Sequence, residues 1–224
     1  MPTETLTAAD GHTLSAYVGV PAGARHGLVV VQEIFGVNGH IRNVCDRFAA
    51  QGYAVVSPAL FDRTERGVEL GYQPPDIARG RELRGRVADA DTLADIEAAA
   101  ARLGQLVPGG RRGIVGYCWG GSVAWAGATR MDAFAAASCW YGGAIVQTKD
   151  AAPHCPVQMH FGEQDASIPL ADVEAIRAAQ PGVAIHVYAG AQHGFGCDER
   201  ASFSKPDAEL AQARTLEFFA AHLN

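Results

Sequence analysis

Two hydrophobic patterns alternate along most of this chain. Short, nearly continuous apolar runs give way to longer stretches whose apolar residues recur three or four positions apart. Gly27-Leu28-Val29-Val30-Val31-Gln32 is the clearest run, and it predicts a central strand covered on both faces, where no position has to meet water. Residues 53–57, 112–115, 135–140, 157–161 and 184–188 read as further strands. Helices are predicted over residues 40–51, 76–103, 170–180 and 206–223, with another beginning at Ser122. Gly52 and Pro181-Gly182 supply stop signals for two of them. Upstream, Thr13-Leu14-Ser15-Ala16-Tyr17-Val18-Gly19-Val20 alternates between apolar and polar, as an outer antiparallel strand does, and Asp10-Gly11 before it is a hairpin turn signal. Strand and helix patterns alternate from residue 27 onward, which predicts an α/β protein with a mostly parallel central sheet and helices on both faces.

One stretch breaks the alternation. Residues 61–75 are polar and rich in turn formers, including Asp62, Arg63, Glu65, Gly71, Pro74 and Pro75. A long surface excursion of this kind is a common place for function.

Length and composition narrow the possibilities. At 224 residues the chain is expected to form a single domain over residues 1–224. A formal net charge of −6 argues against nucleic acid or an anionic membrane as the main partner. The first residues show neither a basic segment nor an apolar one, and no apolar run is long enough to span a bilayer, so a cytoplasmic location is expected. The five cysteines, Cys45, Cys118, Cys139, Cys155 and Cys197, are scattered and odd in number, and are read as reduced thiols. No C-x-x-C pair is present, and His154-Cys155 with His160 has no recognised ligand spacing, so no metal site is expected.

The chemistry gathers around Gly116-Tyr117-Cys118-Trp119-Gly120-Gly121. A strand turning sharply into a helix, with glycines two residues either side of a nucleophile, is the nucleophile elbow, here with Cys118 in place of serine. The helix N-terminus beneath the thiol favours its thiolate form. Two further groups follow predicted strands. Asp165 lies in Gly162-Glu163-Gln164-Asp165, and His193 in Gly190-Ala191-Gln192-His193-Gly194-Phe195. Open parallel sheets carry their sites beyond the carboxyl ends of the strands. Nucleophile, acid and histidine therefore occur in the chain order of an α/β-hydrolase triad. Each has an ordinary reading by itself: Cys118 as a buried apolar residue, Asp165 as a loop or cap carboxylate, His193 as a surface histidine. The other histidines fall within predicted strands or the last helix, or flank early elements. Asp150 and Asp172 are the rival acids, and Asp172 falls within a predicted helix.

Glu33 ends the first apolar run, and its ordinary reading is a cap on the following loop. A carboxylate near a thiol acts as a local base, or raises the thiol pKa while it is negative. Cys118 is then expected to rest as a neutral thiol. The backbone N–H groups of Ile34 and Trp119 are the expected oxyanion hole.

Four motifs in order, Gln32-Glu33-Ile34-Phe35-Gly36-Val37-Asn38, the elbow, the Asp165 loop and the His193 loop, resemble the dienelactone hydrolases, or carboxymethylenebutenolidases, over nearly the whole chain. The resemblance implies an α/β-hydrolase fold and a Cys118–His193–Asp165 triad that opens a lactone through an acyl-enzyme. It implies that Glu33 takes the thiol proton when substrate binds, and that the enzyme is cofactor-free, cytoplasmic and monomeric. Tyr141, in Trp140-Tyr141-Gly142-Gly143, lies where the family has a pocket tyrosine, and Phe35 and Phe195 are expected to line the substrate site with it. One feature departs from the pattern. The best-known members hold the substrate carboxylate with two arginines. Cys197 stands where one is expected, four residues after His193, and Ile77 falls near the other. Arg79, Arg81 and Arg84 are close enough to substitute, and Arg81 and Arg84, three apart on a helix, share a face. The expected substrate is thus a small enol-lactone carrying a carboxylate. A broader carboxylic-ester hydrolase with neutral substrates, and a non-catalytic binding domain, are the alternatives.

Overall fold

The structure, a computed structural model, describes residues 2–223. Its contacts cluster into two compact units, one reaching Ile114 and the other starting at Val115.

The first unit holds strands β1 (Thr3–Thr7), β2 (Thr13–Gly19), β3 (Gly27–Val31) and β4 (Ala54–Pro58), in the spatial order β1-β2-β4-β3. β1 and β2 form an antiparallel hairpin, β2 pairs antiparallel with β4, and β3 runs parallel to β4. Every residue of β3 and β4 is buried, as the unbroken apolar run required. Helix α1 (Gly39–Ala50) packs on β3 and β4 through Ile41, Val44, Cys45 and Phe48, which recur at helical spacing. Gly52, at φ +91°, takes the left-handed conformation that ends this helix.

Two expectations are corrected here. β1 is an additional edge strand; only Leu6 in it is buried, so it carries almost no hydrophobic signal. The helix expected over residues 76–103 is two helices, α2 (Pro74–Arg86) and α3 (Asp89–Leu106). Val87 and Ala88 are extended between them (ψ 122° and 147°). The Arg84 guanidinium fixes the break by donating to Val87 O at 2.9 Å and to Asp89 Oδ1 at 2.7 Å. Asp89 and Asp91 then sit in the first turn of α3, where the helix dipole favours negative charge. α3 packs on β3 and β4, and a short 3-10 turn (Leu60–Arg63) follows β4. From that turn Arg63 reaches the buried Asp95 of α3 with two hydrogen bonds, 2.7 and 3.1 Å long.

The second unit holds β5 (Arg112–Tyr117), whose first residues belong to the other cluster, with β6 (Ala136–Trp140), β7 (Val157–Gly162) and β8 (Ala184–Tyr188), in that spatial order. β6, β7 and β8 run parallel in register, Trp140 beside His160 and His160 beside His186. Helix α4 (Trp119–Arg130) packs on β6, and α6 (Lys205–Leu223) on β6 and β7. α5 (Leu170–Ala179) carries Asp172 in its first turn, as the sequence indicated. β6 and β7 are buried throughout, whereas β8, at the edge, is half exposed.

Candidate active site

The turn from β5 into α4 places Cys118. Its φ of 56° and ψ of −116° are strained for a residue with a side chain. Gly116 makes the turn possible, because a methyl group there would lie 1.9 Å from Gly120 O. The Cys118 N–H donates to Trp140 O at 3.0 Å, and its carbonyl accepts from Gly121 and Ser122, which ties the elbow both to β6 and to its own helix. Cys118 is partly exposed, whereas Cys45, Cys139, Cys155 and Cys197 are buried; all five are free thiols. Burial pushes the Cys45 and Cys139 thiols far up, and Cys155 up to about 11, which makes them poor nucleophiles at neutral pH.

Asp165 and His193 reach the same place from the ends of β7 and β8. His193 Nε2 lies 3.1 Å from Cys118 Sγ, and its Nδ1 lies 2.7 Å from Asp165 Oδ2. The other oxygen of Asp165, Oδ1, accepts from the N–H groups of Ser167 at 2.8 Å and Ile168 at 3.1 Å. Asp165 therefore caps a turn with one oxygen and pairs with the histidine through the other. Burial works to keep the His193 ring neutral. The charge of an ionised Cys118 and the hydrogen bond and charge of Asp165 outweigh it, and the ring pKa is pushed up to about 10.

Tyr141 is the second non-glycine residue at positive φ, 38°. Its N–H donates to His160 O at 2.8 Å, and its ring meets His193 edge-on at 5.3 Å and Phe195 at 5.5 Å. Phe195 is fully buried and stacks against Trp140 at 5.8 Å. Tyr141 and Phe195 thus form an aromatic wall behind the histidine. Ser202 belongs with this group although nothing in its sequence context marks it; its hydroxyl donates to His193 O at 2.7 Å and braces the loop.

In the first unit, the turn after β3 carries Glu33, Ile34 and Phe35. Glu33 and Phe35 are fully buried. Gln32 donates to Glu33 O at 3.2 Å and accepts from the Leu60 N–H at 3.1 Å, so the strand end is stitched to the turn that follows β4. Gly36 has φ +81°, and a methyl group there would lie 1.9 Å from Val68 O, so only glycine fits. The arginines of α2 are largely committed. Arg79 is paired with Glu65 and with Glu82, and Arg84 with Asp89. Arg81 is exposed and has no ion pair among the described residues. Cys197, in the position of an expected arginine, is fully buried.

The sequence profile of the dienelactone hydrolase family matches residues 14–223. A protein from Synechocystis, provisionally named a carboxymethylenebutenolidase, is 37% identical over 213 residues, 88% of this chain and 86% of that one. A crystal structure from Klebsiella pneumoniae, provisionally named a dienelactone hydrolase, superposes with a TM-score of 0.85 at 31% identity over 98% of both chains. An esterase from Pyrococcus furiosus, only 14% identical, shares the fold with a TM-score of 0.74 over 100% of this chain and 93% of its own. The fold is that of the α/β hydrolases, and the chain belongs to the dienelactone hydrolase family of hydrolases.

Proposed function

We propose that this protein hydrolyses a lactone or ester through an acyl-enzyme on Cys118, with His193 and Asp165 completing a triad and Glu33 activating the thiol. The observation that carries this reading is the run from Cys118 Sγ to His193 Nε2, 3.1 Å, and from His193 Nδ1 to Asp165 Oδ2, 2.7 Å. Against the effect of burial, the charge of an ionised Cys118, with the hydrogen bond of Asp165, pushes the His193 ring up to about 10, so once the thiolate has formed the ring holds its proton and is poised to give it to the departing oxygen. Glu33 is the base proposed to take the thiol proton.

The thiol proton passes to the Glu33 carboxylate, and the sulfur keeps the electron pair. Sulfur then attacks the carbonyl carbon, while the amides of Ile34 and Trp119 hold the oxygen that becomes negative. The ring C–O bond breaks, and the departing oxygen takes the proton of His193. Neutral His193 next accepts a proton from water as the hydroxide adds to the acyl carbon and expels the thiolate. Glu33 returns its proton to sulfur, and the product leaves as the ring-opened acid. Asp165 holds Nδ1–H throughout and fixes which nitrogen faces the sulfur.

The substrate proposed is a dienelactone of the 4-carboxymethylenebut-2-en-4-olide type, with Tyr141, Phe35 and Phe195 enclosing the ring. The enzyme is proposed to act as a cytoplasmic monomer without cofactor. A carboxylate leaving water requires a charged partner. Arg81 is the candidate on α2, since Arg79 and Arg84 are tied to acidic residues. That same commitment, with Cys197 buried, favours a second reading, a broader ester hydrolase acting on neutral substrates. Steady-state kinetics on an anionic dienelactone beside a neutral aryl ester separates the two. The first reading predicts a clear preference for the anion, and a KM for it raised roughly tenfold in Arg81→Ala and not in the neutral ester. Equal kcat/KM values in the wild type transfer the assignment to the general esterase.

A further inference from the structure

The Glu33 carboxylate is held by a chain of hydrogen bonds whose direction is fixed from its far end. The chain starts at the N-terminus of α1, where the Ile41 N–H donates to Asn38 Oδ1 at 3.3 Å. A backbone N–H can only donate, so this bond sets the orientation of the Asn38 amide and leaves its NH2 group as the opposite end. That group donates to Leu70 O at 3.1 Å and to Tyr72 Oη at 3.0 Å, which uses both of its hydrogens. With an N–H already pointing at its oxygen, the Tyr72 hydroxyl directs its own hydrogen onward. Its partner is Glu33 Oε2, at 3.1 Å. Ile41 N–H, Asn38, Tyr72 and Glu33 therefore form a one-way relay of donors that ends on one oxygen of a fully buried carboxylate.

The segment bearing Tyr72 is fastened to the Glu33 turn at several points. The Leu70 N–H donates to Phe35 O at 2.9 Å, Gly36 and Glu69 form an isolated antiparallel bridge, and Arg42 pairs with Glu69 at 2.7 Å. The Tyr72 ring rests on Phe35 with centroids 4.5 Å apart. On the other side, α2 approaches so closely that a methyl group on Gly80 would lie 2.2 Å from Ile34 O. His40 of α1 also faces Glu33, with a ring nitrogen within 4.8 Å of its carboxylate.

We propose that Tyr72 and Asn38 are positioning residues for Glu33: the hydrogen bond donated to Oε2 fixes the orientation of the carboxylate and tunes how readily it accepts the proton of the Cys118 thiol. The inference rests on the role proposed above for Glu33. The S–H bond breaks, an O–H bond forms on the Glu33 carboxylate, and the phenol keeps its own proton. The polar excursion after β4 thereby acquires a task, since it delivers the hydroxyl that orients the base.

The test is the pH profile of Cys118 alkylation by iodoacetamide in the full-length protein, with thermal melts confirming that each variant is folded. Tyr72→Phe removes the donor and keeps the ring on Phe35. A carboxylate that loses a donated hydrogen bond accepts a proton more readily, so the Glu33-dependent part of the profile is expected to move up by about one pH unit. Asn38→Asp keeps an oxygen to cap α1 but offers the Tyr72 hydroxyl a competing acceptor, which reverses its hydrogen. It is expected to move the profile in the same direction as Tyr72→Phe. In the background of Glu33→Gln, neither change should have a further effect, because the double mutant then lacks the group through which both act. A Tyr72→Phe profile that superposes on the wild type while Glu33→Gln differs would overturn the positioning role alone. A Glu33→Gln profile identical to the wild type removes Glu33 from the mechanism and the inference with it.

Discussion

The turn from β3 into α1 and the turn from β5 into α4 begin alike and end differently. Each leaves a buried strand and reaches a helix within a few residues. At the first, the strained position is Gly36, which tolerates positive φ, and the cap is Asn38, whose side chain serves the helix by accepting from Ile41. At the second, Cys118 is both the strained residue and the cap, and its side chain makes no cap bond. Its sulfur faces His193 instead. The first turn uses the residue types that satisfy the backbone. The second accepts strain of about 1–3 kcal/mol and gives up a cap of about 1 kcal/mol, with the sulfur turned to His193. The difference teaches that the residue proposed as the nucleophile stands where local chemistry would have chosen another residue.

The largest effect that sharpens this contrast is expected from Cys118→Ala. Turnover should fall by about 10^4-fold or more with the fold retained, measured as kcat with circular dichroism as a control. Replacing the buried Cys45 or Cys139 should leave turnover largely unchanged, since burial keeps those thiols protonated. Asp165→Asn comes next, with a loss of about 10^2-fold or more in kcat. It also has a signature in stability. The His193 pKa is raised in the folded protein, to about 10, by the charge of an ionised Cys118 and by Asp165 against the effect of burial, so the stability this contributes is fully present below the ordinary histidine value and is lost as pH rises through about 10, with Asp165 supplying part of it. Urea melts should therefore show Asp165→Asn destabilised most at about pH 6, with the gap to the wild type narrowing toward about pH 10.

Smaller effects separate the two turns directly. Asn38→Ala should cost about 1–2 kcal/mol, read from the same melts, because it strips α1 of its cap. Cys118→Gly is expected to be more stable than Cys118→Ala by up to about 1 kcal/mol, because both lack the thiol and glycine alone relieves the positive φ. A Cys118→Gly no more stable than Cys118→Ala would mean that the elbow stores no strain at this residue.

Much of the architecture was legible in the sequence because burial writes itself into periodicity. β3, β7 and β8 could be read directly from their apolar runs, and the chain order of Cys118, Asp165 and His193 at strand ends pointed to one another before any coordinates. What escaped was set by contacts between distant residues. β1 is a polar edge strand held by pairing with β2, and a lone buried Leu6 carries no pattern. The break between α2 and α3 contains neither glycine nor proline. It is bridged by the Arg84 guanidinium, and Gly85 just before it with Asp89 and Asp91 just after it were its weak local signals. Tyr72 lies 39 positions from Glu33, in a segment whose polar composition says loop and nothing about which hydroxyl it will deliver. The positive φ of Tyr141 was equally hidden, and only the resemblance pointed to this residue.

The most direct test of the central claim is to quench the enzyme during turnover of a slowly hydrolysed ester and locate the trapped acyl group by mass spectrometry of intact protein and peptides. The account predicts a thioester on Cys118 whose mass equals the acyl half of the substrate, present in the wild type during turnover and absent in Cys118→Ala. An acyl group on any other residue, or undiminished hydrolysis by Cys118→Ala, would contradict it.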